Sequence, residues 1–167
     1  MKRIVFILIA LVFLSVSNVF SQSENGTTIL FIRHAEKVEL SGLDPELTEE
    51  GKERASQWAE VFKETGISAI YSTKTKRTLE TAKPISQATN IPIKLYGTKT
   101  LDIKKLAQSN KGKTILIVGH SNTIPKFINT LMGEETYQQI DDDVYGNLYV
   151  VTVIKNKATV GLLQIRK

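Results

Sequence analysis

The sequence predicts an α/β fold, a three-layer α/β/α sandwich whose mainly parallel sheet ends in an antiparallel C-terminal hairpin. Short apolar runs alternate along the chain with segments whose apolar residues recur every three or four positions. Residues 114–118 are apolar throughout, as expected for a strand in the middle of a parallel sheet covered by helices. The apolar segments 148–154 and 159–165 flank a short polar turn, which predicts the hairpin.

The remaining elements follow from the same periodicities. Thr48 is expected to cap a helix over residues 48–64, and Gly66 marks the end of that helix. Pro84 lies inside the helix predicted for residues 77–89, where it is expected to kink or restart the helix. The other predicted helices span 101–108 and 122–131, and the other predicted strands span 29–32, 67–71 and 91–95.

The N-terminus has the layout of a secretory signal peptide. Lys2 and Arg3 precede an apolar run at 4–16, and Val19 and Ser21 occupy the −3 and −1 positions of a cleavage site. The run is shorter than the roughly 20 residues that a spanning helix needs, so cleavage is favoured over an uncleaved anchor. We therefore expect a signal peptide at 1–21, a tether at 22–27 and one domain at 28–167, exported to the periplasm or secreted, without stable membrane association after cleavage.

Composition excludes several classes of site. The chain has no cysteine, which excludes disulfides, thiolate metal ligands and a cysteine nucleophile. The net charge of +5 comes from scattered basic residues, so no nucleic-acid partner is predicted. Metal-binding motifs with paired histidines are absent and each histidine is expected to lie near an arginine, so neither a metal nor another cofactor is predicted.

Both histidines of the chain closely follow predicted strands, His34 after the first and His120 after the fourth. Ligands of open α/β sheets bind beyond the carboxyl ends of the strands, so the two imidazoles will face each other if these strands are neighbours. Arg33 directly precedes His34, and Arg77 begins the helix after the second strand. Because a guanidinium binds two phosphate oxygens at once, the four side chains predict an anion site suited to a phosphoryl group.

Four segments also match a known set of sequence motifs: 30–37 (LFIRHAEK), 47–55 (LTEEGKERA), 70–82 (IYSTKTKRTLETA) and 115–123 (ILIVGHSNT). In this order they resemble the motifs of the histidine phosphatase superfamily, branch 1, the group that includes the cofactor-dependent phosphoglycerate mutases. The first resembles the family's Arg-His-Gly motif, with Ala35 in place of the glycine. The resemblance extends over most of the predicted domain and implies a phosphoglycerate mutase-like fold.

The resemblance also implies a role for each of the four side chains. His34 is the nucleophile that becomes phosphohistidine, and Arg33, Arg77 and His120 hold the phosphoryl oxygens. These roles agree with the chemistry, since phosphoryl transfer depends chiefly on positive charge placed at those oxygens. A neutral imidazole is a good nucleophile near neutral pH. We expect His120 to act protonated, as a charged donor, because a nearby phosphate would raise its pKa.

The proton donor is where the chain departs from the family. A leaving alkoxide needs an acid, which the family supplies as a glutamate after the second arginine. Asp102 is the only carboxylate in the corresponding window, 89–108, and it suits a general acid and a helix N-cap equally well. Glu36 is a second candidate, better suited to pairing with a basic residue. The acidic run 141–143 is a third, for which a solvated loop is the favoured interpretation.

These residues predict a histidine acid-type phosphatase, a hydrolase that acts on small-molecule phosphomonoesters outside the cytoplasm. Two alternatives stay open: a phosphohistidine phosphatase, which asks less of an acid, and a non-catalytic protein that binds phosphate or a phosphorylated ligand. A metal hydrolase and a phosphoglycerate mutase are disfavoured, the second because an exported enzyme would not meet a glycolytic substrate. The sequence leaves the natural substrate and the oligomeric state open.

Overall fold

The computed structural model describes residues 25–39 and 42–166. Strands and helices alternate along it in the order β1 (Thr27–Arg33), α1 (Glu49–Phe62), β2 (Ile67–Ser72), α2 (Lys76–Thr89), β3 (Ile93–Leu95), α3 (Ile103–Ser109), β4 (Thr114–Gly119), α4 (Thr123–Met132), β5 (Asn147–Ile154) and β6 (Lys157–Gln164). The predicted signal peptide at 1–21 and the first half of the predicted tether, 22–24, lie outside the described residues.

All these strands belong to one sheet with the order β3-β2-β4-β1-β5-β6. The first four strands in this order run parallel, and β5 and β6 run antiparallel to their neighbours. The predicted α/β fold, with its mainly parallel sheet and C-terminal hairpin, is therefore confirmed. The order places β1 and β4, the strands that precede the two histidines, side by side at the centre.

Helices cover both faces of the sheet, because the central strands are apolar on both sides. Alternate residues of β1 and β4 face different layers. On one face Leu30 and Leu116 pack in a core with Trp58 of α1 and Ile85 of α2. On the other face the core contains Ile29, Phe31, Ile115 and Ile117 from the sheet, with Ile103 of α3 and Phe127 of α4. The three predicted layers are thus present.

The C-terminal hairpin is tighter than the sequence predicts. Its loop is only Lys155 and Asn156, whose φ angles are 47° and 65°, and Ile154 pairs directly with Lys157. A two-residue hairpin loop needs positive φ at both positions, usually from glycine or asparagine. The Lys-Asn sequence gives only half of that signal. The sequence therefore predicted a longer turn, and β6 begins two residues before the predicted start at 159.

The helices follow the predictions with small shifts at their ends. Thr48 caps α1 as expected, its Oγ1 accepting a hydrogen bond of 3.0 Å from the Gly51 backbone N–H. Helix α2 runs through Pro84 without restarting, contrary to one of the two predicted outcomes. A proline removes a single backbone donor, and the rest of the helix keeps its hydrogen bonds. Within the described ranges, no helix has both the length and the apolar character needed to span a bilayer.

Candidate active site

The pairing of β1 with β4 brings the two histidines together. Arg33 lies opposite Gly119 in the parallel register, and the His34 backbone N–H donates to the Gly119 carbonyl at 2.9 Å. His120 follows Gly119, so both imidazoles emerge at the same sheet edge. Their ring centroids are 5.5 Å apart, with an interplanar angle of 63°. The structure therefore brings together the two histidines that the sequence placed at strand ends.

The His34 ring presents an unprotonated nitrogen. Its Nδ1 lies 2.8 Å from the Ala35 carbonyl oxygen, and because a carbonyl only accepts, Nδ1 carries the proton. The lone pair is then on Nε2. Burial lowers the pKa of His34 to about 3, and the positive charge of Arg33 acts in the same direction. His34 is therefore neutral and nucleophilic through the whole physiological pH range.

His120 is also neutral in the structure. Its Nδ1 lies 3.3 Å from Nη2 of Arg77, which can only donate, and its Nε2 lies 3.0 Å from Oγ1 of Thr73. Burial lowers the pKa of His120 to about 4, and Arg77 and then Arg33 add to the effect. Without an anion, burial between two guanidinium groups disfavours a third positive charge, so the expected protonation of His120 stays a prediction for the phosphate-bound state.

Arg77 is positioned by the loop before α1 and by its own helix. Asp44 accepts a hydrogen bond of 2.9 Å from the Lys76 backbone N–H, and its Oδ1 lies 3.8 Å from Nη1 of Arg77. One turn further along α2, Thr81 donates to the Arg77 carbonyl at 2.7 Å and accepts from the Ala35 N–H at 2.9 Å. These bonds fix the start of α2 against the segment that carries His34.

Arg33 is held by the backbone of the acidic run. Its side chain is 2% exposed, and Nη1 donates to the carbonyls of Asp141, Asp142 and Val144 at 2.7, 3.1 and 3.0 Å. The Tyr145 ring lies 4.2 Å from the guanidinium carbon, and the Asp142 carboxylate lies 3.6 Å from Nη2. The exposed side chains agree with the predicted solvated loop, but the loop also positions Arg33, which the prediction missed.

The four predicted side chains line one cavity of about 600 Å³. In the described part of the chain, the Nε atoms of Arg33 and Arg77 are buried without a hydrogen-bond partner. Buried guanidinium donors are normally paired, so the site is built to receive an anion. The cavity is also lined by Lys37, Thr73, Lys74, Tyr96, Gln139 and Asp142.

Two of the predicted proton donors lie elsewhere. Asp102 is the N-cap of α3, where Oδ1 accepts a hydrogen bond of 3.0 Å from the Lys105 N–H, and it does not line the cavity. This placement supports the capping interpretation of Asp102 and not the general-acid interpretation. Glu36 pairs with Arg54, whose Nε donates to both carboxylate oxygens at 2.8 and 2.9 Å. Among the described residues, Asp142 is the only carboxylate that lines the cavity.

Thr73 and Tyr145 are the site residues that sequence reasoning missed. Thr73 contacts His120 and lies directly after β2, at the same sheet edge as the histidines. Its only sequence signal is that strand-end position. Tyr145 lies between Arg33 and His34, with its ring centroid 6.1 Å from that of His34. It follows the acidic run, and nothing in the local pattern connects it to the first strand.

No comparable cluster occurs elsewhere in the structure as described. A second cavity of about 320 Å³ lies at the opposite end of β1, beside Thr27 and the hairpin loop, and no histidine, arginine or carboxylate lines it. Residues 25–39 and 42–166 contain no group of three side chains that could hold a metal ion. The cavity between His34 and His120 is therefore the candidate active site.

The fold and the site define a phosphoglycerate mutase-like α/β protein, with histidines after two adjacent parallel strands and arginines beside them. Residues 29–97 match the model of the histidine phosphatase superfamily (branch 1). Over these residues the chain is similar to that superfamily. The matched residues include Arg33, His34 and Arg77, and His120 lies beyond their end.

Solved structures share the fold at low sequence identity. A mycobacterial glucosyl-3-phosphoglycerate phosphatase aligns with a TM-score of 0.70 at 12% identity, covering 84% of this chain and 100% of the other. The protein histidine phosphatase SixA, solved with tungstate, has a TM-score of 0.67 at 14% identity, covering 82% and 96%. A phosphoglycerate mutase from Bacillus anthracis has a TM-score of 0.69 at 14% identity, covering 84% and 93%. No curated protein sequence matches the chain.

Proposed function

We propose that this protein is an exported phosphatase that hydrolyses small-molecule phosphomonoesters through a phosphohistidine on His34. The observation that carries the proposal is the environment of His34 Nε2. This atom bears a lone pair, because Nδ1 is bound to the Ala35 carbonyl. The guanidinium-bearing side chains of Arg33 and Arg77 line the same cavity as His34 and His120.

The reaction has two steps. His34 Nε2 forms a bond to phosphorus while the bond between phosphorus and the ester oxygen breaks, and the leaving alkoxide takes up a proton. A water oxygen then forms a bond to phosphorus as the P–N bond breaks, the water loses a proton, and phosphate leaves. Arg33 and Arg77 stabilise the charge on the transferred group in both steps, which is the main requirement of phosphoryl transfer.

The lining of the cavity also indicates which leaving groups react well. Asp142 is its only carboxylate in the described chain, and that carboxylate is 3.6 Å from Arg33. The Asp142 side chain is 92% exposed and faces the Arg33 guanidinium, so no carboxylic acid of the described lining is held in place to protonate a leaving group. Substrates whose leaving group needs little protonation, such as aryl phosphates, should therefore be hydrolysed faster than alkyl phosphates.

The same observation favours a second candidate, a phosphohistidine phosphatase. The leaving group of a phosphohistidine is an imidazole nitrogen, which needs less help from an acid than an alkoxide does. SixA, named as a protein histidine phosphatase, shares this fold over most of its length. An exported protein would meet few intracellular phosphoproteins, however, and for that reason we place the phosphomonoesterase first.

Turnover of three substrates by the purified protein tests these proposals. We expect release of phosphate from an aryl phosphate, slower release from an alkyl phosphate, and no release by His34→Ala. Thr27→Val is the control, because Thr27 is equally buried on β1 but lies at its other end, hydrogen-bonded to Ala107. Phosphohistidine as the fastest substrate would favour the second candidate. Binding of tungstate without any turnover would identify a non-catalytic phosphate-binding protein instead.

The proposed export rests on the sequence of residues 1–21, and one measurement tests it. The full chain is expressed in a bacterium, and the N-terminus of the mature protein is sequenced from the periplasm and the medium. Cleavage after Ser21 predicts an N-terminus at Gln22. An intact Met1 terminus in the membrane fraction would show an uncleaved anchor, and an intact terminus in the cytoplasm would contradict export.

A further inference from the structure

The hydroxyl of Thr73 forms a bridge between His120 and a small network of threonines. Thr73 is buried, with 5% of its surface exposed. Its Oγ1 lies 3.0 Å from Nε2 of His120 and 2.8 Å from Oγ1 of Thr78. The side chain belongs to the loop between β2 and α2, and among residues 25–39 and 42–166 it is the only one hydrogen-bonded to His120 Nε2.

The direction of these hydrogen bonds follows from the groups that can only accept. The Thr78 hydroxyl lies 2.9 Å from the Thr75 carbonyl and 3.1 Å from the Thr73 carbonyl, so it donates its proton to the backbone. Oγ1 of Thr78 can then accept the Thr73 hydroxyl proton across 2.8 Å, and the Thr75 hydroxyl lies 2.9 Å from the same oxygen and 3.3 Å from Thr73 Oγ1. Thr73 Oγ1 in turn accepts from His120, which requires the proton of His120 to be on Nε2.

The opposite side of the His120 ring leads to the same assignment. Nδ1 lies 3.3 Å from Nη2 of Arg77, and a guanidinium has no lone pair to accept with. Nδ1 is therefore an acceptor. Since Thr73 occupies Nε2–H, a neutral His120 has no proton left to donate to a phosphoryl oxygen in the cavity.

We propose that Thr73 is a positioning residue that holds His120 in the Nε2–H tautomer, and that His120 therefore binds the phosphoryl group by taking up a proton at Nδ1. The inference rests on the proposed function, because it assumes that the cavity binds phosphoryl groups. It makes binding of a dianion and uptake of one proton a single coupled event at His120.

The charges around His120 explain why protonation waits for the anion. His34 and Arg33 face the ring from the end of β1, and Arg77 faces it from the start of α2. Burial, and after it the charges of Arg77 and Arg33, lower the pKa of His120 to about 4. A dianion bound between the guanidinium groups would reverse the sign of the local field and favour the imidazolium. The other titratable groups that line the same cavity are Lys37, Lys74, Tyr96 and Asp142.

Nitrogen NMR of the histidine rings tests the tautomer directly, since the chain has only two histidines. We expect His120 to show the Nε2–H tautomer in the wild type and in Thr73→Ser, which keeps the hydroxyl. Thr73→Val removes one of the two groups that fix the tautomer, at nearly constant volume, and leaves only Arg77 at Nδ1, so the share of the Nδ1–H tautomer should rise. Thr27→Val, a buried threonine distant from the site, should leave the His120 signals unchanged. An Nδ1–H tautomer in the wild type would overturn the inference.

Tungstate affinity as a function of pH tests the coupling, because tungstate remains a dianion near neutral pH. Uptake of one proton predicts a Kd that rises about tenfold per pH unit between pH 6 and 8 in the wild type and in Thr73→Ser. In Thr73→Val the slope should be clearly smaller, because neutral His120 can then donate from Nδ1. A wild-type Kd that does not change with pH would contradict the coupling.

The two measurements separate this inference from the proposed function. If tungstate fails to bind the wild-type protein at any pH, the cavity is not a phosphoryl site, and both the proposed function and the coupling fail. If tungstate binds and His34 supports turnover, but the Kd has no pH dependence, the proposed function stands and the coupling is wrong. If the tungstate Kd changes with pH equally in the wild type and in Thr73→Val, the coupling stands and only the role of Thr73 is contradicted.

Discussion

The imidazole rings of His34 and His120 lie 5.5 Å apart, and their hydrogen bonds hold them in opposite tautomers. The proton of His34 is on Nδ1, bound to the Ala35 carbonyl, and the proton of His120 is on Nε2, bound to Thr73. Because the tautomers differ, the two rings present different nitrogen atoms as acceptors, Nε2 in His34 and Nδ1 in His120. In the proposed reaction His34 uses its Nε2 lone pair to attack phosphorus, and in the proposed coupling His120 is uncharged until an anion binds.

The two histidines should make the protein less stable in weak acid. Burial lowers their pKa values to about 3 and about 4, below the ordinary 6.5. Between pH 6.5 and the lowered pKa values, the histidines of the unfolded chain bind protons that those of the folded protein do not. The free energy of unfolding is therefore highest above pH 6.5 and decreases as the pH falls. We expect the free energy of unfolding, measured with urea, to drop by roughly 2 kcal/mol per histidine between pH 7 and pH 5.

His120→Asn serves as the control for this pH dependence. The variant keeps one of the two buried histidines, so its loss of stability between pH 7 and pH 5 should be about half that of the wild type. An unchanged loss would show that the groups responsible lie outside the site. Comparing each protein with itself at two pH values removes the direct effect of the substitution.

Asp142→Asn should tighten anion binding. The Asp142 carboxylate lies 3.6 Å from Nη2 of Arg33 and is 92% exposed, so it competes weakly with a bound anion for that guanidinium. Exposed ion pairs of this kind correspond to about a two- to fivefold change in tungstate Kd. Asp143→Asn removes the same charge one residue further on, outside the cavity lining, and should have a smaller effect. Weaker binding by Asp142→Asn would contradict the competition.

Asp102→Asn distinguishes the helix cap from the general acid. Asparagine caps a helix as well as aspartate does, so stability should change by less than about 0.5 kcal/mol. Because Asp102 does not line the cavity, the rates with aryl and alkyl phosphates should fall by the same small factor or not at all. A loss confined to the alkyl phosphate would restore Asp102 as the proton donor.

Gly51→Ala should destabilise the protein, although alanine ordinarily favours a helix by about 1 kcal/mol. A Cβ at this position in α1 would clash with the carbonyl oxygen of Glu36. The backbone of the loop after His34 would have to move, and crowding of this kind costs roughly 1–3 kcal/mol. Gly161→Ala, where a Cβ meets nothing within 4 Å, is the control and should be neutral or stabilising in a urea titration. Equal stability of both variants would contradict this packing.

The sheet and its four covering helices were predictable because each element has a strong local signal. The apolar run of β4 and the spacing of Trp58 and Phe62 in α1 are explained by burial in the two cores. Arg33, His34, Arg77 and His120 were predictable because the carboxyl ends of parallel strands meet at one edge. A residue that follows a predicted parallel strand is therefore expected at this edge of the sheet.

The features that escaped prediction depend on contacts between distant segments. Arg33 is held by backbone carbonyls of residues 141, 142 and 144, and a carbonyl acceptor has no sequence signature. The charge of His120 follows from burial between two guanidinium groups, which only the folded chain brings together. For Asp102, the sequence was compatible with both a cap and an acid, and only its position outside the cavity separates them.

Trapping the phosphorylated enzyme is the most direct test of the proposed chemistry. The protein is mixed with an aryl phosphate, quenched in alkaline denaturant during turnover, digested and analysed by mass spectrometry, with phosphorus NMR on the intact adduct. We predict one phosphoryl group, labile in acid and stable in alkali, on His34 and absent from His34→Ala. Phosphate on any other residue, or turnover that persists in His34→Ala, would contradict the account.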